Sequence, residues 1–191
     1  MIKFNITYPG SPSNMSGNSE LNNAGKIIFR GKCVIRTGNR IVVGYNAKLD
    51  IGEGVIIADK INIGCFTSIT IGDRTRIAHR SQIFDNNYHY ILNLKKNTVK
   101  DIHKSVKIGA DCWICNSSTI TGSIPNGTIV ASNSVVNGKT IENIEDNCLI
   151  GGIPAKLIST GLQLINDPKT EQKIAKYFNE NNVKIVDIEQ L

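Results

Sequence analysis

The chain has 191 residues, 40% hydrophobic but only 6% aromatic, with 17 glycines and a formal net charge of +6 from 22 basic and 16 acidic side chains. That length fits one domain with small appendages, and the shortage of aromatics leaves the core to aliphatic side chains. The positive balance favours anionic partners, but no Lys/Arg run with interleaved aromatics and no zinc-finger spacing points to nucleic acid, and no stretch approaches the ~18 apolar residues of a membrane span.

Five cysteines (Cys33, Cys65, Cys112, Cys115 and Cys148) are an odd number scattered among apolar positions. They predict a reducing, cytoplasmic setting rather than a secreted disulfide framework. The Cys112–Cys115 pair has no second pair to complete a zinc site and is read as structural.

Met1 to Ala24 is polar and rich in Asn, Ser, Gly and Pro, and predicts an irregular arm or a partial first coil. Aliphatics then recur every six residues at Ile51, Ile57, Ile63 and Ile69, and again at Ile71, Ile77 and Ile83. A period of six suits a coil with three flat faces and one inward aliphatic per face, whereas a helix needs spacings of three and four. Small residues follow many of these aliphatics, as in Ile51-Gly52, Ile57-Ala58, Ile71-Gly72 and Ile108-Gly109, where a corner tolerates little bulk.

Between Ile83 and Ile102 the pattern stops, and residues 84–101 are expected to leave the coil as a loop. It resumes at Ile102, Ile108, Ile114 and Ile120, and continues less strictly through Val130, Val136, Ile144 and Ile150. No hexad buries its aliphatic alone, so stacking of coil on coil makes the core. Asp167-Pro168 is a helix start, with Ile174, Tyr177 and Phe178 as its apolar stripe. The expected division is 1–24 arm, 25–158 coil and 159–191 helical extension.

The hexads "IGCFTS", "IGDRTR" and "IAHRSQ" resemble those of the hexapeptide-repeat acyltransferases, and the resemblance extends from about Phe29 to Ile158. It implies an all-β fold, a left-handed parallel β-helix with an extruded loop and a short C-terminal α-helix, against the usual right-handed crossover. It further implies a homotrimer, acetyl-CoA as co-substrate and a catalytic histidine on the loop, which here is His89.

Imidazole titrates near working pH, and a sugar hydroxyl becomes a competent nucleophile only when a base takes its proton. Asp85, four residues earlier, is the candidate to orient the ring, because Asn87 stands where many relatives place Asp. Asn86 and Asn87 are candidates for sugar hydroxyls. His79 and His103 fall within hexads and are read as surface residues. The metal-binding γ-class carbonic anhydrases share this fold but place a second histidine five residues after the first; position 84 is Phe, so no metal is expected.

The run "IGADCWICNSSTITGSIPNGTIVASNSVV" followed by "IGGIPAKLI" is similar to the distal part of sugar and antibiotic O-acetyltransferases, with Cys115 where they have Gly. By position this implies Asn116 and Ser132 along the pantetheine arm, Lys156 and Lys139 at the phosphates, and Trp113 bordering the thioester. The expected activity is acetyl-CoA-dependent O-acetylation of a sugar hydroxyl in a surface polysaccharide or its precursor. The alternatives are N-acetylation of an amino or nucleotide sugar, and a non-catalytic β-helix scaffold.

Overall fold

The computed structural model describes residues 1–7, 17–138 and 143–190. Three parallel sheets form the faces of a prism, which the chain visits in rotation. The first face runs through Cys33–Ile35, Ile56–Ile57, Arg76–Ile77, Trp113–Ile114, Ile129–Val130 and Cys148–Gly152. The second stacks Arg40–Val43, Asn62–Cys65, Gln82–Phe84, Thr119–Thr121 and Val135–Asn137. The third stacks Lys26–Phe29, Lys48–Ile51, Ser68–Ile71 and Ser105–Ile108, and the Ile108–Ile124 bridge extends it. The fold is a left-handed parallel β-helix with one extruded loop and one C-terminal helix.

The six-residue period becomes an inward column on each face. Ile35, Ile57, Ile77, Ile114, Val130 and Ile150 stand over one another in register on the first face, all at most 1% exposed. Burying each such side chain contributes about 1.5–3 kcal/mol, and only the next coil can bury it. Hydroxyls at the corners tie coils together: Ser81 Oγ donates to Cys115 O at 3.0 Å, and Ser118 Oγ to Ala131 O at 3.1 Å.

The glycines after the aliphatics are required by close approach. A Cβ on Gly72 would stand 2.4 Å from Ala110 N, and one on Gly109 would stand 2.5 Å from Asn126 N. Positive φ falls two residues later, at Arg74 and Asp111.

The start of the chain differs from an irregular arm. Ile2–Phe4 pairs with Cys33–Ile35 and Glu20–Asn23 with Arg40–Val43, both parallel, so these segments extend two of the faces. Among the described residues each of them pairs with a coil on one side only. At the other end Ala155–Thr160 folds back antiparallel on Cys148–Gly152 and covers that sheet edge. Asp167 caps the helix Pro168–Asn181, its Oδ2 accepting from Thr170 N at 2.9 Å. Ile174, Tyr177 and Phe178 are half-buried.

The loop leaves from the corner between the second and third faces, and its bounds shift from those expected. Phe84 still pairs with Gly64, and the coil resumes at Ser105. The neck closes where Lys104 N donates to Asp85 O at 3.0 Å. Ile102 therefore lies in the loop, and Val106 is the first buried aliphatic of the resumed coil. Asp85 is fully buried, and its carboxylate reaches back to the preceding coil. Oδ1 accepts from Phe66 N at 2.8 Å and Oδ2 from Thr67 N at 2.7 Å.

Two outcomes follow. Ile71→Ala is expected to lower unfolding free energy by roughly 2–5 kcal/mol in denaturant titration, as a void between two coils. Asp85→Ala strips the partners from two backbone N–H groups and is expected to cost roughly 2–4 kcal/mol, with faster hydrogen exchange at the Phe66 and Thr67 amides. Unchanged exchange at those two amides would refute the anchoring role.

Candidate active site

His89 sits on the extruded loop, exposed to solvent, with its backbone N donating to Asn87 O at 2.7 Å. Its root is aromatic. Tyr88 meets Phe66 edge-on at 5.1 Å between ring centroids and Phe84 at 6.1 Å. A Cβ on Gly64 would collide with the Phe84 ring and the Tyr88 hydroxyl, so the bare glycine is the floor on which both rings lie. Tyr88 has φ +60, a left-handed conformation that costs a non-glycine residue about 1–2 kcal/mol and is offset here by ring packing.

Beyond this root the loop is a small hairpin, with Leu92–Asn93 antiparallel to Thr98–Val99. Between hairpin and neck lies a cavity of about 390 Å³, lined among others by Asn87, His89, Thr98, Asp101 and Ile102. Asn87 thus joins His89. Asn86 does not line the cavity; it is buried, and its Oδ1 has no hydrogen-bond partner among the described residues.

The expected pairing of Asp85 with His89 is corrected by the anchoring just described, since both carboxylate oxygens are held by backbone amides. The Asp-x-His geometry sought there occurs instead at the end of the loop. Asp101 Oδ1 stands 2.7 Å from His103 Nδ1 and accepts from His103 N at 3.0 Å. These contacts hold the Asp101 carboxyl below its ordinary range. The spacing Asp101-Ile102-His103 was readable in the sequence as that signal.

The residues expected along the pantetheine arm, Asn116 and Ser132, occupy another edge of the prism, between the first and second faces. Each coil places a left-handed residue there (Lys60, Arg80, Ser117 and Asn133), and the residue before it (Asp59, His79, Asn116 or Ser132) stacks in one row. Ser117 N donates to His79 O at 2.9 Å and Asn133 N to Asn116 O at 3.0 Å, so Asn116 and Ser132 lie on adjacent coils, both exposed. The outward residues beside this row are short, namely Ala78, Cys115 and Ala131. Lower in the row His79 Nδ1 stands 3.8 Å from Asp59 Oδ2, while Asp59 Oδ1 accepts from Thr37 Oγ1 at 2.9 Å.

Trp113 lies on the outer side of the first face. With Ile129 it faces Leu164, Ile165, Ile174 and Ala175 of the C-terminal extension across a groove of about 420 Å³. That extension is fastened by Arg76 Nη2 donating to Asn166 O at 3.1 Å, and by Asn166 Nδ2 donating to Asp111 Oδ1 at 3.2 Å. Arg74 grips the same Asp111 at 2.7 and 2.6 Å and holds its carboxyl below the ordinary range. Lys156 is exposed on Ala155–Thr160, and Lys139 lies outside the described residues.

Burial pushes the Cys65 and Cys112 thiols up to about 12, which makes them inert at neutral pH. Cys112 faces the core, whereas Cys115 is half-buried. Among the described residues no cluster of three or more His, Cys, Asp or Glu side chains is arranged to hold a metal ion, and no helix is long and apolar enough to cross a membrane.

No family model matches the chain. Over 155 residues, 69% of this chain and 77% of the relative, it is 32% identical to a protein of Escherichia coli (strain K12) named as a lipopolysaccharide biosynthesis O-acetyl transferase, WbbJ. It is 29% identical over 170 residues, 84% of this chain and 73% of the relative, to an uncharacterized 24.8 kDa protein in the cps region of Klebsiella pneumoniae. Among solved structures, AntD, an N-acyltransferase from Bacillus cereus in complex with dTDP and 3-hydroxybutyryl-CoA, matches with a TM-score of 0.59 at 18% identity, over 87% of this chain and 86% of that one. The polySia specific acetyltransferase NeuO matches at 0.53 and 15% identity, over 94% and 97%. At such identities the two structures speak for the fold alone, and the sequence match to WbbJ carries the assignment. With its hexad coil and extruded histidine loop, the chain belongs to the hexapeptide-repeat acyltransferase family.

Proposed function

We propose that this protein is an acetyl-CoA-dependent O-acetyltransferase acting on a sugar hydroxyl of a surface polysaccharide or its precursor. The observation that carries the reading is the exposed His89, set on a braced loop at the edge of a cavity of about 390 Å³. The match to the O-acetyl transferase WbbJ supports the acceptor class.

In this reading His89 takes the proton of the acceptor hydroxyl as its oxygen attacks the thioester carbonyl. Backbone N–H groups stabilise the tetrahedral oxyanion, the C–S bond breaks, and the imidazolium returns its proton to the departing thiolate. The transfer is direct, so no acyl-cysteine is required.

Coenzyme A enters as a substrate. Asn116 and Ser132 would meet its pantetheine arm, where the short side chains Ala78, Cys115 and Ala131 leave room for a thin chain. Lys156 and Lys139 are the proposed phosphate contacts. The extended segment Asn62–Cys65 spans roughly 10–13 Å of the second face, which separates the donor edge from the loop edge within one chain. We therefore read the working unit as a homotrimer, in which the loop of one copy meets the donor edge of the next.

Thiol release from acetyl-CoA is the assay, run with neutral sugars, amino sugars and nucleotide sugars. His89→Ala is expected to lower turnover about 100-fold or more while acetyl-CoA binding stays intact, the usual contribution of a general base. Turnover within a few-fold of the parent would remove His89 from the mechanism. Mixing His89→Ala protein with a donor-edge variant such as Ser132→Trp, each inactive alone, is expected to restore part of the activity on subunit exchange. No recovery in verified mixed oligomers would refute the shared site.

A further inference from the structure

The coil does not account for the charge of the cavity beside His89. In the loop hairpin Leu92 stands opposite Val99 and Asn93 opposite Thr98. Side chains alternate across such a pair, so Asn93 and Thr98 share one side and Leu92 and Val99 the other. Asn93, Thr98, Ile91 and Lys100 line the cavity together with His89. The turn is held by Asn93 Oδ1, which accepts from Lys95 N at 3.1 Å and Lys96 N at 3.0 Å, and Lys96 also lines the cavity.

Two lysines thus border the same space as the base. Among the described residues Asp101 is the one carboxylate lining that space, with its Oδ1 2.7 Å from His103 Nδ1, so two lysines stand against one carboxylate. The ion pairs among the described residues involve neither Lys96 nor Lys100. With two lysines to one carboxylate the lining carries a cationic balance that an entering anion offsets. Lysine suits that task, because a mobile point charge follows a carboxylate or phosphate without demanding a fixed plane.

Resting on the acetyltransferase reading above, we infer that the acceptor is an anionic sugar, bearing a carboxylate or phosphate that Lys96 and Lys100 hold while His89 meets the hydroxyl. A neutral sugar would leave two lysines facing the single carboxylate of Asp101 around the cavity. The phosphates of coenzyme A are the other source of the same chemistry, and the experiment separates them.

Binding of methyl glucuronide, glucose 1-phosphate and methyl glucoside to the full chain is measured by saturation-transfer NMR, and binding of acetyl-CoA by calorimetry. At low salt at least one charged sugar is expected to bind about 10-fold tighter than the neutral one. That preference should fade with added salt and vanish in Lys96→Gln/Lys100→Gln, with acetyl-CoA affinity unchanged. Equal or undetectable binding of the charged and neutral sugars overturns the inference, as does a double variant that loses acetyl-CoA instead. None of these readouts needs turnover, so an absence of thiol release counts against the acetyltransferase reading separately.

Discussion

The constraint on which this molecule depends is the register between successive coils. Each inward aliphatic is buried by the one above and the one below, and each strand takes its backbone partners from the same two neighbours. A slip of one residue would turn every inward side chain to solvent. Backbones at the corners also approach so closely that Gly72 and Gly109 cannot carry a Cβ. Variation is therefore confined to the corners and the ends.

The loop exploits that allowance. The paired step is 20 residues from Ile57 to Ile77 but 37 from Ile77 to Ile114, yet both pairs are in register, so the extra chain leaves and returns at one corner without disturbing the column. Where the loop departs, the corner amides of Phe66 and Thr67 lack the stacked turn that would otherwise cover them. The Asp85 carboxylate takes its place. A carboxylate buried there is tolerable because two N–H donors hold it, and burial, with the field of Asp85 after it, keeps the neighbouring Cys65 thiol protonated.

The repeat was legible because its physics is local and periodic. Ile51 to Ile83 read correctly, as did the Asp167-Pro168 helix start and the place of the interruption. Ile102 misled because it falls six residues before Ile108 by coincidence, and a period cannot tell a coil position from a half-buried loop residue that lines a cavity. Asp85 misled for a different reason: its partners are backbone amides one coil back, and an amide carries no letter in the sequence. Lys96 and Lys100 drew no notice because the hairpin has no period to read.

In the proposed mechanism the coil and the loop divide the demands of catalysis between them. A general base works only if its ring is held near the reacting atoms, and a loop is ordinarily the least suitable place for that. Here the residue before His89 takes a left-handed conformation, and its ring meets Phe66 and Phe84 edge-on with its hydroxyl against Gly64, so the chain entering the histidine is tied to the stack. Gly64 would weaken an ordinary strand. In this coil, whose backbone pairs with neighbours on both sides, that loss is spread through the ladder, and the space it leaves seats the loop. In the proposed mechanism the prism supplies the precision, and the hairpin beyond Tyr88, which carries Lys96 and Lys100, is the part that selects the sugar.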